Sequence, residues 1–275
     1  MFTAQPDPAP TPPTGLRSAS QRFMCLTNDR VLYVGLLGAP TGRTMGCVSV
    51  YVATAGKIRA RLAGGAWQTG EVAVVPPYVP HELSSDARMI IALQIEAETV
   101  DTAALPPLLS ACGMAHDPAF AQHVRSTVCG LREQGREADL ALMDFDALFF
   151  GRSLVPRTVD PRIQGVVDAI KRNPSAALSA QDCAQSVHLS FSRFLHLFKQ
   201  DLDAPFRSFR TWKRARSLLH YVNRDANLAH VALDAGYPDS THFSHSIRQA
   251  YGLKPRDIFA GSRKLAIYGK TLQAA

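Results

Sequence analysis

The chain has few cysteines and no long apolar run, and these absences exclude several classes of protein. Its five cysteines are odd in number, and no two stand in a CxxC or other metal-ligand spacing. We therefore expect reduced thiols, with neither disulfides nor structural zinc. No stretch of about 18 apolar residues offers a membrane span. The N-terminus also lacks the basic segment and apolar core of a signal peptide, so we expect a cytoplasmic protein with no membrane partner.

Motifs that support catalysis are also missing. There is no GxSxG, no Walker loop and no pair of carboxylates in a catalytic context. His242 and His245 lie three residues apart, but no third ligand is indicated, and a groove-facing role explains at least His245 better. We expect no enzyme, no catalytic residue, no cofactor and no bound metal.

The net charge of +7 is not shared evenly along the chain. Residues 156–275 hold 18 basic and 9 acidic side chains, and all nine acids are Asp, whereas residues 1–155 carry a small net negative charge. A positive half of this kind favours a polyanionic partner, although charge alone does not distinguish DNA, RNA and membrane.

The N-terminal half divides into three segments. Residues 1–20 are rich in Pro, Ala, Ser and Thr and predict a flexible arm. Residues 21–104 contain short β-branched runs separated by Gly and Pro turns, which predict a small β-barrel or jelly roll. In residues 105–156 the period becomes helical, with one stripe from Phe120 to Leu131 and another from Leu142 to Phe149. Both stripes pack on the barrel in the simplest interpretation, and one of them forming a dimer contact is about equally favoured.

The C-terminal segment, residues 157–262, contains one supersecondary unit twice. Residues 178–200 and 227–249 align at an offset of 48 at Ala184 and Ala232, and of 49 from Phe194 and Phe243 onward. Each copy predicts a short helix, a tight turn and a second helix, which is a helix-turn-helix unit. Ser190 and Asp239 are the predicted N-caps of the two second helices. Residues 263–275 are expected to form a tail.

The outer face of each second helix carries short polar groups followed by a cation. Such a face suits the major groove of double-stranded DNA, where hydroxyl and imidazole groups meet base edges and a terminal cation reaches phosphate. Leu195 is unusual on a solvent face, and a thymine methyl group would give it an apolar partner. An ordinary solvated face is the less favoured alternative. The predicted DNA-binding residues are Ser192, Arg193, Leu195, His196 and Lys199 in the first unit, Ser240, Thr241, Ser244, His245 and Arg248 in the second, and Arg214 between them.

A single long helix is predicted between the two units, over Pro205 to Val222. At the helical rise, eighteen residues would make a strut of about 27 Å. A strut of that length suits two recognition helices held about one DNA turn, roughly 34 Å, apart.

Residues from about 160 to 259 resemble the DNA-binding domain of the AraC/XylS family. The resemblance lies in the stretches LSFSRFLHLFK, GYPDSTHFSHSIRQAYG and LKPRDIF. It implies an activator that contacts RNA polymerase. The family's base-reading positions fall on Ser192, Leu195 and His196 in the first unit, and on Ser240, Thr241, Ser244 and His245 in the second. His196 and His245 stand where the family commonly has Arg, and Asp203 stands where it usually has Gly in the turn before the strut.

The N-terminal segment resembles a cupin barrel in GEVAVVPPYVPH, residues 70–81, although Tyr78 stands where that motif has Gly. The metal centre of a cupin needs an earlier His-x-His pair, whereas the first histidine here is His81. We therefore expect a cupin-like sensor without metal, and we take Trp67, Tyr78 and His81 as candidate ligand-binding residues. For His81, an ordinary hydrogen-bonded barrel histidine is the favoured alternative.

The sequence thus predicts an α+β protein: a cupin-like β-barrel with linker helices, then an all-α domain with two helix-turn-helix motifs. Its expected function is a DNA-binding transcription regulator, controlled by a small-molecule effector or by homodimerisation. The alternative is a ligand-independent DNA-binding or partner-binding adaptor whose barrel only dimerises.

Overall fold

The N-terminal part of the computed structural model is built from two β-sheets. The structure describes residues 22–223 and 227–269, so the predicted arm over 1–20 lies outside the described residues. The larger sheet has seven strands in the order β10-β1-β2-β8-β3-β6-β9, and the smaller has three in the order β5-β4-β7. The strands are β1 Phe23–Leu26, β2 Arg30–Leu36, β3 Cys47–Ala53, β4 Ile58–Leu62, β5 Gln68–Gly70, β6 Val72–Val75, β7 His81–Ser85, β8 Met89–Glu96, β9 Gly113–Ala115 and β10 Ala266–Gly269.

Both faces of the larger sheet are buried, which explains why every residue of β3 is buried. One face packs on the small sheet, where Tyr51 and Ile90 share a core with Ile58 and Leu83. The opposite face, with Val50 and other β-branched side chains, is covered by helices. The result is an open two-sheet jelly roll of cupin-like form. It confirms the predicted fold class without closing into a barrel.

Two helices cover the outer face of the larger sheet, α1 Pro118–Glu133 and α2 Phe145–Phe150. Val124, Val128 and Phe149 are buried in the same core as the sheet. The predicted apolar stripes are thus used within the chain. Leu142 is an exception at 89% exposure, because the chain forms a 3-10 turn before it and α2 begins only after the cap at Asp144.

The C-terminal domain is helical, and its helix starts follow the predicted caps. Asp160 caps the first helix with Pro161 at its first position, and Ser190 and Asp239 cap the two predicted recognition helices. Its helices are α3 Pro161–Arg172, α4 Ala180–Ser186, α5 Phe191–Leu202, α6 Phe206–Ser217, α7 Leu228–Asp234, α8 Ser240–Tyr251 and α9 Pro255–Ser262.

The predicted long strut over 205–222 is wrong in its length. Helix α6 ends at Ser217 and continues as a 3-10 turn to His220, so the regular helix spans about 18 Å at 1.5 Å per residue. The helix ends early because of tertiary contacts: Leu218 and Val222 are buried in a core shared with the N-terminal sheet. The turn directs them there.

The predicted C-terminal tail is also wrong in part. Strand β10 pairs in parallel with β1, with Phe23 opposite Ala266 and Leu26 opposite Gly269. It occupies an edge of the larger sheet that would otherwise present unpaired backbone groups. The chain therefore returns to its N-terminal domain after α9 and ties the two domains together.

The two helix-turn-helix units differ in how they are supported. The first, α4 and α5, has a core of its own with α3 and the start of α6. The second, α7 and α8, shares one core with Met24, Met45 and Leu265 of the segments at the domain interface. The second unit thus packs on the N-terminal domain through a shared apolar core, whereas the first contacts it through a hydrogen bond from the Thr102 hydroxyl to Asp203 at the end of α5.

Candidate DNA-binding surface and interdomain pocket

Helix α5 presents the face that the sequence predicts. The Ser190 hydroxyl accepts a hydrogen bond from the Arg193 amide at 3.3 Å and starts the helix. Phe194, Leu197 and Phe198 are buried in the first unit. The candidate DNA-binding residues lie on the other side: Ser192, Arg193, His196 and Lys199 are exposed, and Leu195 is half-buried.

Helix α8 repeats this arrangement. The Asp239 carboxylate accepts from the amides of Thr241 and His242, each at 2.8 Å, and also lies 2.8 Å from the His242 Nδ1 atom. His242 is therefore part of the cap. Phe243, Ser246 and Ile247 are buried, Ser244 is half-buried, and Ser240, Thr241, His245 and Arg248 are exposed.

The cations of α6 divide into two sets with different surroundings. Arg207, Arg210 and Arg214 line a cleft of about 710 Å³ between α6 and α8, together with His242 and His245. Arg210 donates to the Ala176 carbonyl at 2.9 Å, and Arg214 donates to the carbonyls of Pro174 and Ala176 at 3.2 and 3.3 Å. Burial and the Arg214 charge lower the pKa of Arg210. Arg210 and Arg214 thereby hold the α3–α4 turn.

The second set of α6 cations is buried against the N-terminal domain. Lys213 lies 2.5 Å from a Glu98 oxygen and also contacts Glu96, while Arg216 lies 2.5 Å from the other Glu96 oxygen. The Trp212 indole donates to Glu96 at 2.8 Å. The Lys213 and Arg216 charges and these hydrogen bonds outweigh the desolvation of Glu96 and keep the pKa of its carboxyl below the usual value. This cluster fixes helix α6 to the end of β8.

A loop of the N-terminal domain, residues 37–46, touches the C-terminal end of α8. The Thr44 amide donates to the Gln249 carbonyl at 2.8 Å, and the Thr41 hydroxyl donates to the Gly252 carbonyl. Gly252 has a φ of +74°, and a Cβ atom there would lie 2.7 Å from the Thr41 hydroxyl. The contact therefore requires glycine at the end of this recognition helix.

Beside this loop lies an apolar pocket between the domains. Its volume is about 430 Å³, and its walls come from both sides of the interface. The sheet and the loop contribute residues such as Met24, Tyr33 and Ile90, and the C-terminal domain contributes residues such as Leu218 and Ile258. A pocket of this size and composition suits a small apolar ligand.

Arg43 supplies the pocket with a buried charge. Its side chain lines the pocket, and the residue is only 8% exposed. Within residues 22–223 and 227–269, its Nε and Nη2 atoms have no hydrogen-bond partner. Burial lowers the pKa of its guanidinium. Tyr33 and Tyr51 lie beside it, and Asp257 stands on the C-terminal side of the pocket with its side chain 51% exposed. An unpartnered buried guanidinium is costly, and it fits a ligand anion.

None of the three predicted ligand-binding residues lines this pocket. Trp67 is 42% exposed and lies under the Arg61 guanidinium at 5.2 Å. Tyr78, with a φ of +61°, lines the basic cleft between α6 and α8.

His81 is a buried, hydrogen-bonded histidine, which is the alternative that the sequence favoured. Burial lowers its pKa to about 4, so the ring is neutral near pH 7. Its Nδ1 atom lies 3.0 Å from the Val79 carbonyl and must carry the proton. The Nε2 atom therefore accepts from the Tyr51 hydroxyl at 2.9 Å. His81 thus orients Tyr51, which does line the pocket.

The sequence reasoning missed Arg43 and the Glu96 cluster. Arg43 sits in an irregular Gly- and Thr-rich loop, so no period indicated that it is buried. Across residues 22–223 and 227–269, no group of three or more His, Cys, Asp or Glu side chains is placed to hold a metal ion. No helix in the same ranges is long and apolar enough to cross a membrane.

Comparison with known proteins defines the C-terminal half first. Residues 183–261 match the family model described as a helix-turn-helix domain. The invasion proteins InvF of Salmonella typhi and Salmonella typhimurium are each 32% identical over 71 residues, which cover 26% of this chain and 33% of theirs. The chain thus matches about a third of the length of these curated relatives. Residues 183–261 therefore form a helix-turn-helix domain, which follows the N-terminal domain.

Solved structures extend the likeness to both domains. Apo ToxT from Vibrio cholerae strain SCE256 has a TM-score of 0.57 at 10% identity, covering 85% of this chain and 97% of that one. Unsaturated fatty acid bound wild-type ToxT from the same strain has a TM-score of 0.53 at 11% identity, covering 86% and 96%. At this identity the likeness concerns the fold. Together with the helix-turn-helix match, it shows a helix-turn-helix domain joined to an N-terminal domain in the fold of ToxT.

Proposed function

We propose that the chain is a sequence-specific regulator of transcription that binds double-stranded DNA through α5 and α8. The observation that carries this proposal is the repeated geometry of those helices, each with an N-cap, a buried aromatic face and an exposed polar face ending in a cation. Such helices suit adjacent major grooves. Members of the AraC/XylS family, which the C-terminal domain resembles, regulate transcription and are not enzymes, so we assign no catalytic residue.

Each candidate residue then has a defined part in recognition. Ser192, His196, Ser244 and His245 read base edges, together with Leu195, Ser240 and Thr241. Arg193, Lys199 and Arg248 reach phosphates at the rims of the grooves. In the intervening cleft, Arg207, Arg210 and Arg214 face the phosphates between the two blocks, since no described ion pair neutralises them. Arg214 also holds the α3–α4 turn, so its replacement affects both affinity and the position of α4.

Selection from random duplexes at several salt concentrations tests this assignment. We expect a motif of two blocks about one helical turn apart, with affinity that falls steeply as salt rises. Retention of DNA without any motif would leave a basic surface only and would favour the adaptor. Lys199→Ala should weaken binding to all sequences, whereas Ser244→Ala or His245→Ala should alter preference at one or two base pairs. Equal losses for all three variants on specific and random DNA would refute the assignment.

The effector that fits the interdomain pocket is an apolar molecule with one carboxylate. The walls match an aliphatic chain, and the Arg43 guanidinium, lacking partners at two nitrogens, matches the acid group. The fold is shared with a protein solved with an unsaturated fatty acid, which supports this class of ligand.

Signal transfer has a short path in this arrangement. The loop over 37–46 contributes Arg43 and Met45 to the pocket and contacts the end of α8 through Thr41 and Thr44. A ligand that moves this loop therefore changes the support of the second recognition helix. Such a ligand acts only as far as it binds the two arrangements of the protein with different affinity.

Titration with oleate, followed by thermal unfolding and by DNA binding, tests the effector assignment. We expect oleate to raise the melting temperature saturably and to change DNA affinity. Methyl oleate, which lacks the charge, and the Arg43→Met variant should each give little shift. An equal shift by acid and ester would exclude Arg43 as the carboxylate partner, and no shift with any apolar acid would favour the ligand-independent adaptor.

The proposal also includes activation through RNA polymerase, which the family resemblance implies, and function as a homodimer, which the apolar stripes of residues 105–156 suggested. In vitro transcription from a promoter carrying the selected site tests activation, because a repressor would lower the yield. Sedimentation of the protein with and without DNA tests the dimer. The two apolar stripes of residues 105–156 pack largely on the larger sheet of the same chain. Any dimer contact must therefore involve another surface.

A further inference from the structure

The two recognition helices differ in chemistry at two equivalent positions on one face. With the offset of 49 residues that relates α5 to α8, Phe191 corresponds to Ser240 and Leu195 to Ser244. Residues at i and i+4 lie on the same face of a helix. The same patch, near the N-terminal end of each helix, is therefore apolar in the first unit and hydroxylated in the second.

The apolar pair of α5 is available at the surface. Phe191 is the first residue of the helix and is 45% exposed. It has no place in the core of the first unit, whereas Phe194 and Phe198 are fully buried there. Leu195 is half-buried at the edge of that core. The first unit thus carries an exposed aromatic and an aliphatic side chain beside its polar base-reading residues, Ser192 and His196.

We propose that the two units read DNA by different chemistry: the first recognises thymine methyl groups through Phe191 and Leu195, and the second reads hydrogen-bonding edges through its serines. The inference rests on the proposed function. Thymine carries the C5-methyl group of the major groove, and Phe and other apolar side chains contact it, whereas a serine hydroxyl donates to or accepts from base edges. Phe191 is thereby assigned as a specificity-determining residue.

This assignment predicts an asymmetric binding site. The block bound by α5 contains at least one thymine whose methyl group faces the Phe191 and Leu195 pair. The block bound by α8 shows preferences set by hydrogen bonding instead. Replacing thymine by deoxyuridine removes only the methyl group, so it tests the apolar contact without changing base pairing.

The experiment uses the full chain and the duplex recovered by selection. Deoxyuridine is placed at the thymines of one block at a time, and Kd is measured by fluorescence anisotropy. Loss of one buried methyl group is expected to weaken binding about fourfold. We expect this loss in the α5 block and less than a twofold change in the α8 block. The blocks are assigned by the preferences that change in Ser192→Ala and Ser244→Ala.

A matched variant carries the chemistry of the second unit into the first. Phe191→Ser combined with Leu195→Ser should abolish the deoxyuridine effect in the α5 block and relax its thymine preference. A cooperative thermal transition and an unchanged helical circular dichroism spectrum show that the variant folds. Phe191→Ser alone keeps the half-buried leucine and serves as the second variant if the double variant unfolds.

The outcomes separate this inference from the proposed function. A two-block motif with no thymine in the α5 block, or with no response to deoxyuridine, overturns the inference and leaves the regulator intact. An equal response in both blocks also overturns it. Absence of any motif overturns the proposed function itself.

Discussion

The buried ion cluster of Lys213, Arg216, Glu96 and Glu98 joins α6 to the larger sheet. Its contribution to the free energy of unfolding can be predicted. In Lys213→Met, a hydrophobic side chain of similar length replaces a cation that is 4% exposed and lies between Glu96 and Glu98, which are 1% and 4% exposed. Glu96 then keeps the Arg216 guanidinium, whereas among the described residues Glu98 keeps only Lys171, whose Nζ atom is 3.7 Å away and whose side chain is 23% exposed. Removing one partner of a buried ion pair costs about 3–5 kcal/mol of unfolding free energy. We expect a loss in this range.

A second variant distinguishes charge imbalance from lost packing. Glu98→Gln together with Lys213→Met removes one charge of each sign and leaves the Glu96 and Arg216 pair, which is 2.5 Å apart. Because no excess charge remains buried, the double variant should lie within about 1–2 kcal/mol of the wild type. Its stability should therefore exceed that of Lys213→Met, although it carries one more substitution.

Urea unfolding followed by tryptophan fluorescence measures these differences. The chain has two tryptophans. Trp212 donates to Glu96 inside the cluster, whereas Trp67 is exposed. In a Trp67→Phe background the signal therefore reports on the cluster itself. A loss below about 1 kcal/mol in Lys213→Met, the value typical of exposed pairs, would refute the reasoning. A double variant less stable than the single one would also refute it.

Three further predictions concern single buried or strained residues. Arg43→Met should raise the stability of the ligand-free protein by about 1–3 kcal/mol, because it removes a buried guanidinium with unpartnered nitrogens; a lower melting temperature would contradict this. His81 has a folded pKa of about 4 and an ordinary value near 6.5, so the unfolded chain binds its proton more readily. The wild type should lose about 3 kcal/mol as pH falls from 6.5 to 4, and His81→Gln should lack that part of the slope in urea titrations at each pH. Asp203 has a φ of +54°, so Asp203→Gly should exceed Asp203→Ala in stability by about 1–2 kcal/mol by calorimetry; equal stabilities would show that the backbone there is unstrained.

The parts of the fold that local chemistry decides were predictable from the sequence. A Ser or Asp that caps a helix acts on amides two or three residues away, so Asp160, Ser190 and Asp239 were identified without any tertiary information. The buried faces of α5 and α8 follow from the helical period in the same way.

The parts that depend on contacts between distant segments were not predictable. Helix α6 ends early because Leu218 enters the interdomain core, and residues 266–269 form a strand only because β1 offers an unpaired edge. In both segments, contacts with distant residues override the local preference for helix or coil. Arg43 is the clearest case, since its burial depends on the C-terminal domain closing over an irregular loop.

The different support of the two units determines where an effector can act. The first unit has its own core, whereas the second shares a core with the N-terminal domain and touches the pocket loop through Gln249 and Gly252. A ligand in the pocket therefore changes the environment of α8 and leaves that of α5 nearly unchanged. We expect footprinting with oleate to show altered protection of the α8 block at constant protection of the α5 block. Because coupling between two binding sites is reciprocal, DNA that carries both blocks should shift the affinity for oleate, and DNA that carries only the α5 block should not. Equal shifts with both DNAs would show that the signal travels through α6 instead of the loop.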